Sequence, residues 1–238
     1  MGREVDAREG RGLSRDIVAT RWDAAYRAGR YAAESPLPFV GEIISTLRAY
    51  PAALAGVGLY VGCGNGRNYL PLVDAGLALN GVDVSREALD QLIALRPIQA
   101  PRLACADFRT LEIASPLDYL VAIQVFQHGD QADAQTYFAR TWAALKSGAL
   151  FFLRVNSVST EVYFRHTVVE RNDLGGATIR YDEGPKRGLR VHFYSRDELF
   201  DLAGSRFRPL LAPREDVTAR TPPKTGTWSQ WESIWQKC

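Results

Sequence analysis

The chain has 238 residues, 29 basic and 27 acidic, and its formal charge of +2 is spread without the basic stripe of a nucleic-acid binder, so DNA and RNA are not expected partners. With 46% hydrophobic and 24% charged residues it falls in the ordinary globular range, which excludes a fibrous or disordered chain, and no apolar run is long enough to span a bilayer. Cysteines at 63, 105 and 238 form neither a disulfide framework nor a zinc-ligand spacing, so no metal is expected.

In chain order, residues 1–14 are charged and glycine-containing and are expected to be a flexible arm. The opening lacks the apolar segment of a secretory signal, which predicts a cytoplasmic protein. From Ile17 to Tyr50 apolar residues recur at helical spacing around Ser35-Pro36-Leu37-Pro38, which predicts two helices and a turn. Short β-type runs follow at 57–61, 78–83, 102–106, 117–123 and 149–155, with helical segments near 66–76, 85–95 and 131–146 between them. Strand and helix alternating at these lengths imply right-handed crossovers, hence an α/β fold with a Rossmann-like, doubly wound, mostly parallel sheet. Ser85 and either Asp130 or Gln131 are placed to start helices, and Ser147-Gly148 to stop the second of them. Residues 157–190 mix polar, aromatic and glycine patches with no helical period and are expected to be an insertion over the site. After them come a helix capped by Ser195, a strand at 207–212 and a tryptophan-rich strand at 227–236. One domain over 1–238 accounts for all of this.

The chemistry concentrates where the first strand runs into Gly62-Cys63-Gly64-Asn65-Gly66-Arg67. Glycines there permit positive φ and close approach of the backbone to a ligand. A dinucleotide fingerprint needs glycine at the sixth position, which is Arg67, so a pyrophosphate and an NAD-type oxidoreductase are disfavoured. Asp83, at the end of the second strand in Gly81-Val82-Asp83-Val84-Ser85, is placed to accept hydrogen bonds from both ribose hydroxyls. Asp107-Phe108, after the third strand, can meet an adenine amino group and a ring nitrogen. Each acid alone could be a helix cap or a turn residue; all three features in this order point to one adenosyl ligand.

VGCGNGRN, GVDVS, ADF, Asp118, Ile123-Gln124-Val125-Phe126-Gln127-His128 and LKSGALFFLRV together resemble a class I S-adenosylmethionine-dependent methyltransferase, of the small single-domain kind similar to tellurite-resistance and thiopurine methyltransferases. The resemblance covers residues 57–156, roughly half the chain. It implies a seven-stranded sheet ending in an antiparallel pair, S-adenosylmethionine as cofactor and S-adenosylhomocysteine as product. It also implies that the glycine turn faces the methionine part and that Gln124 lines its other side. The family usually has an acidic residue two places before the first glycine; here Tyr60 stands there, a phenol that can accept a hydrogen bond but brings no charge. A cofactor-binding protein without catalysis is therefore the alternative.

Methyl transfer is an in-line displacement served chiefly by positioning, and a base is needed only for a hydroxyl or protonated-amine acceptor. His128, at the rim after strand four, is the candidate catalytic base; stacking on the cofactor edge or capping the next helix is the competing role. Trp22, Tyr26 and Tyr31 resemble part of a lid formed by the helices of 15–50 over the cofactor, with packing on the sheet as the alternative. Tyr163, His166, His192 and Tyr194 are candidates for the acceptor pocket, or for a small core. The expected partner is a small, partly apolar metabolite, and the protein is expected to be a monomer or homodimer.

Overall fold

The computed structural model describes residues 15–32 and 34–238; the expected N-terminal arm, 1–14, lies outside the described residues. Two helices open the chain, α1 (Arg15–Arg27) and α2 (Phe39–Ala49), followed by a short α3 (Pro51–Leu54). Then come β1 (Gly58–Val61), α4 (Tyr69–Asp74), β2 (Leu79–Asp83), α5 (Arg86–Leu95), β3 (Leu103–Cys105), β4 (Leu117–Ile123), α6 (Gln131–Ala144) and β5 (Leu145–Asn156). A segment of three strands follows, β6 (His166–Arg171), β7 (Ala177–Tyr181) and β8 (Arg190–Phe193). The chain then forms α7 (Arg196–Ala203), β9 (Phe207–Ala219) and β10 (Thr227–Lys237).

Seven strands form one sheet in the order β3-β2-β1-β4-β5-β10-β9. The first five are parallel, and β10 runs antiparallel between β5 and β9. β1, β4 and β5 are buried along most of their length because helices cover both faces, which explains their unbroken apolar runs. One face packs Leu59, Val61, Leu120, Phe151 and Phe138 of α6; the other packs Tyr60, Tyr119, Val121 and Phe152 against α2 and α5.

Local chemistry sets the helix starts. Ser85 Oγ accepts from the Ala88 amide and opens α5, and Ser195 Oγ accepts from the Glu198 amide and opens α7. Asp130 and Asp133 form a reciprocal capping box on α6. This helix ends at Ala144, earlier than the Ser147-Gly148 stop expected from sequence. Leu145 already pairs with Leu117, and the ladder slips before Tyr119 meets Leu150, so Ser147-Gly148 lies in a strand irregularity with Gly148 at φ +77°.

The 157–190 region holds β6 and β7, which form a three-stranded antiparallel sheet with β8. Its β8 edge joins the tips of β4 and β5 through the His128–Val191 bridge, the His192 amide on Gln127 O at 2.8 Å and the Tyr194 amide on Asn156 O at 2.9 Å. No helix among the described residues is long and apolar enough to cross a membrane.

Candidate active site

The carboxyl ends of β1, β2 and β4 and the loop after β3 surround a cavity of about 740 Å³. Open α/β sheets bind ligands on this edge. At the β1 tip, Gly62 (φ +71°) and Gly64 (φ +54°) leave no alternative residue: a methyl on the first would run into Val125 Cγ2, and on the second would meet Tyr26 Oη at 2.5 Å. The turn's amides are largely spent inside the protein. Those of Gly62 and Cys63 donate to Val82 O, and that of Gly64 to Asp83 at 2.8 Å. The loop therefore presents a close-packed backbone wall, with the Gly62, Cys63 and Gly64 amides already bonded. Gly66, expected in the site, does not line the cavity; at φ +96° it packs against Leu70 and Leu92.

Tyr60 lines the cavity with its phenol held neutral, because burial lifts its pKa far above the usual value. The Asn68 amide hydrogen-bonds that hydroxyl, while Asn68 Oδ1 accepts from the Leu37 amide at 2.9 Å. No carboxylate takes the place two residues before Gly62.

Asp83 is buried at the tip of β2, where Oδ2 accepts from the Gly64 amide and Oδ1 from the Ser85 amide, both at 2.8 Å. Desolvation outweighs these bonds and raises its pKa from 3.8 to about 6. Each oxygen keeps further acceptor capacity beyond its one amide. Val84 beside it also lines the cavity. Asp23 of α1 accepts from Ser85 Oγ at 2.6 Å and from the Glu87 amide at 3.1 Å, tying α1 to the start of α5.

After β3, Asp107 and Phe108 both line the cavity. The Asp107 carboxylate is gripped by Arg109 through Nε and Nη2, and Arg109 Nη1 reaches on to Asp133. Phe108 stacks on Phe126 with centroids 5.8 Å apart.

At the β4 tip, Gln124 adopts φ +60°, which a side-chain-bearing residue holds only when its surroundings enforce it. Its amide donates to Arg154 O at 2.8 Å, and its Nε2 to Gln230 Oε1 at 2.8 Å. Gln230 Oε1 also accepts from buried Arg154 Nε at 2.7 Å, and Arg154 pairs with Glu232 and with Asp216 at 2.6 Å. His128 lines the cavity four residues on. The near-neutral titration expected of it is corrected: burial, then the nearby Lys186 and Arg30 charges, push its pKa down to about 3.

α1 supplies a further wall. Trp22 sits edge-on to the His128 ring at 5.1 Å, Tyr26 is buried, and Tyr31 turns at φ +62°; all three line the cavity. Asn65 Nδ2 donates to Arg30 O at 3.4 Å.

The residues expected in an acceptor pocket are elsewhere. Tyr163 is exposed beside Phe164, and His166 Nδ1 is 3.0 Å from Phe164 O. His192 is buried between Thr178 Oγ1 (2.8 Å) and Glu198 Oε1 (2.9 Å), and the buried Tyr194 donates to Phe126 O at 2.5 Å. None of the four lines the cavity; the His192 side chain ties β8 to β7 and α7, and Tyr194 ties the end of β8 to the loop after β4. Sequence reasoning missed Arg109, Asp133, Tyr137 and Arg190, all of which line it. The α6 residues had a signal, since 130, 133 and 137 share a helix face just after the β4 tip. Arg190 had none.

A family of methyltransferase domains matches residues 59–151. No curated protein sequence matches the chain. Among solved structures, the chain is similar to a 1,6-didemethyltoxoflavin-N1-methyltransferase from Burkholderia thailandensis, solved with 1,6-didemethyltoxoflavin and S-adenosylhomocysteine. The TM-score is 0.63 at 17% identity, covering 100% of this chain and 94% of that one. A magnesium protoporphyrin IX methyltransferase from Synechocystis with bound SAM gives a TM-score of 0.64 at 13% identity, covering all of both chains. TehB from Haemophilus influenzae gives 0.62 at 13% identity, covering 91% of this chain and 67% of that one. At these identities the structures speak for a shared fold.

Proposed function

We propose that this chain, whose residues 59–151 match a methyltransferase domain family, is a class I S-adenosylmethionine-dependent methyltransferase that methylates a small-molecule acceptor in the cavity between α1, the strand tips and the β7–β8 turn. The observation that carries the reading is the convergence of the glycine turn, Asp83 and Asp107 on one cavity of about 740 Å³. The residues fit an adenosyl cofactor. Side-chain-free positions at Gly62 and Gly64 leave room beside the backbone, and Asp83 retains acceptor capacity for two hydroxyls. Asp83 would hold the ribose, Asp107 and Phe108 the adenine, and Tyr60, Asn65 and Gln124 the amino-acid end. Bound there, S-adenosylmethionine supplies an electrophilic methyl on a sulfonium, open to in-line displacement.

The chain's own contribution is positioning and the exclusion of water. Trp22 and Tyr26 wall the cavity from α1, and Leu189 and Arg190 from the small sheet. His128 stays unprotonated at neutral pH, so its free ring nitrogen can accept a hydrogen bond from the acceptor's nucleophile. Its depressed basicity makes it a weak proton acceptor while Arg30 and Lys186 are both charged.

The test is incubation with methyl-labelled S-adenosylmethionine and a metabolite extract, read by mass spectrometry, beside calorimetry with S-adenosylhomocysteine. Label on a small molecule is expected. Heat of binding without transfer to any acceptor would favour cofactor binding without catalysis, and no heat would refute the cofactor assignment.

A further inference from the structure

Among the described residues four carboxylates line the cavity, and each is committed. Asp107 and Asp133 share Arg109, Asp130 pairs with Arg190 at 3.3 Å, and Asp83 is the ribose partner in the reading above. The amino-acid end of the cofactor nevertheless brings an ammonium, which only donates hydrogen bonds. A neutral oxygen has to meet it, and the polar groups behind the β4 tip decide which.

Behind that tip, β5 and β10 hold a buried relay. Arg154 and Glu232 are register partners on the two strands, as are Asn156 and Gln230, and all four are buried. Arg154 pairs with Glu232 and with Asp216, which balance its charge, and its Nε donates to Gln230 Oε1 at 2.7 Å. A guanidinium has donors only, so Gln230 must turn its oxygen to Arg154. Its nitrogen then faces the other way, where Nε2 donates to Asn156 Oδ1 at 3.2 Å. The same Gln230 Oε1 lies 2.8 Å from Gln124 Nε2. An oxygen already fixed as acceptor admits only the NH2 end of a second amide, so the orientation of Gln124 follows from Arg154, two hydrogen bonds away.

Gln124 is left with its Oε1 for a ligand. That oxygen takes no hydrogen bond from a described residue, yet it is not among the buried atoms without a partner, so it stays open to solvent. Gln124 lines the cavity, and Val125 beside it packs so closely on the glycine turn that a methyl on Gly62 would strike Val125 Cγ2. Resting on the cofactor reading above, we propose that Arg154 and Gln230 are positioning residues: they lock the Gln124 amide with its oxygen toward the cavity, and that oxygen receives the cofactor's ammonium. The hold is double, because the Gln124 backbone amide, at φ +60°, also donates to Arg154 O at 2.8 Å. One residue of β5 thus fixes the backbone directly and the side chain through Gln230. Recognition of a cation by a neutral amide depends on which end it presents: released to flip, Gln124 would offer NH2 and repel the ammonium.

The test is calorimetry on the full chain with S-adenosylhomocysteine and with its deamino analogue, in which hydrogen replaces the ammonium. The wild type is expected to bind S-adenosylhomocysteine at least about tenfold tighter than the analogue, as one hydrogen bond to a charged group requires. Gln124→Met and Gln230→Met should each bring that ratio below about threefold, with the analogue bound within about threefold of its wild-type affinity. Gln230→Glu offers oxygens to both Arg154 and Gln124 and should keep the ratio; Asn156 Nδ2, buried without a partner, can turn to meet the new carboxylate. An unchanged ratio in Gln230→Met, including one reached by equal weakening of both ligands, marks Gln230 as scaffold and overturns the relay, and so does loss of the ratio in Gln230→Glu. If Gln230→Met does not fold, Gln230→Glu and Gln124→Met decide in the same way. A wild type that binds both ligands alike overturns the ammonium assignment and leaves the cofactor reading in place, whereas one that binds neither overturns the cofactor reading and this proposal with it.

Discussion

Replacing Asp83 by alanine separates a residue kept for ligand from one kept for folding. A buried carboxyl moved from 3.8 to about 6 withholds stability at neutral pH, on the order of 3 kcal/mol at about 1.4 kcal/mol per pH unit. Alanine returns that amount but strands the amides of Gly64 and Ser85, at about 1–3 kcal/mol for each unmet donor. The two nearly cancel, so the melting temperature at pH 7.5 should move by only a few degrees. Cofactor binding has no such offset. Two hydroxyl hydrogen bonds to a charged acceptor, each worth roughly 1.5–3 kcal/mol, amount to at least about a hundredfold in affinity. In the wild type, the carboxylate needed by the ribose is lost as pH falls through about 6, so S-adenosylhomocysteine should bind roughly tenfold weaker at pH 5 than at 7.5. Calorimetry at both pH values, with thermal unfolding of both proteins, makes the comparison. An affinity within threefold of wild type in Asp83→Ala, or equal wild-type affinities at the two pH values, would refute the ribose assignment.

Gly62→Ala should abolish cofactor binding, since it combines φ +71° with a collision against Val125, whereas Gly76→Ala, at φ +90° in open space, should cost only about 1 kcal/mol and bind normally; calorimetry on both variants checks this. Glu232→Gln leaves Arg154 short of a buried partner, and a loss of roughly 3–5 kcal/mol should lower the melting temperature by about 10 °C; a drop below about 2 °C would show the network to be dispensable. His128 folds with its pKa below the unfolded 6.5, at about 3, so its contribution to stability is complete above 6.5 and shrinks as pH falls toward 3. Denaturant melts should therefore show the wild type losing stability as pH falls below 6.5, by an extra amount that is absent in His128→Phe. Tyr60→Phe removes the hydroxyl held by Asn68 and should weaken S-adenosylhomocysteine about fivefold by calorimetry.

The parallel half of the fold was readable because its strands are buried on both faces and its helix caps are local. Ser85, Asp130 and Ser195 each act through a bond to the amide three residues on, within reach of any sequence window. Strand β9 ran past the expected 212 to Ala219 because that sheet edge is half solvated, so its Pro213-Arg214-Glu215-Asp216 stretch reads as a loop, although Arg214, Glu215 and Asp216 pair with β10 beyond an irregularity at Pro213. The site divided along the same line. Asp83 and the glycine turn follow from strand-tip spacing. The places of His192 and Tyr194 were not readable because their partners sit on other elements: Thr178 on β7, Glu198 on α7 and Phe126 O in the loop after β4.

Gln124 holds its unfavourable backbone angle through Gln230, a residue of the strand that slots in between β5 and β9. During synthesis, the loop after β4 leaves the ribosome about a hundred residues before that clamp exists. The conformation of the β4 tip is thus completed late, when β10 enters the gap between β5 and β9.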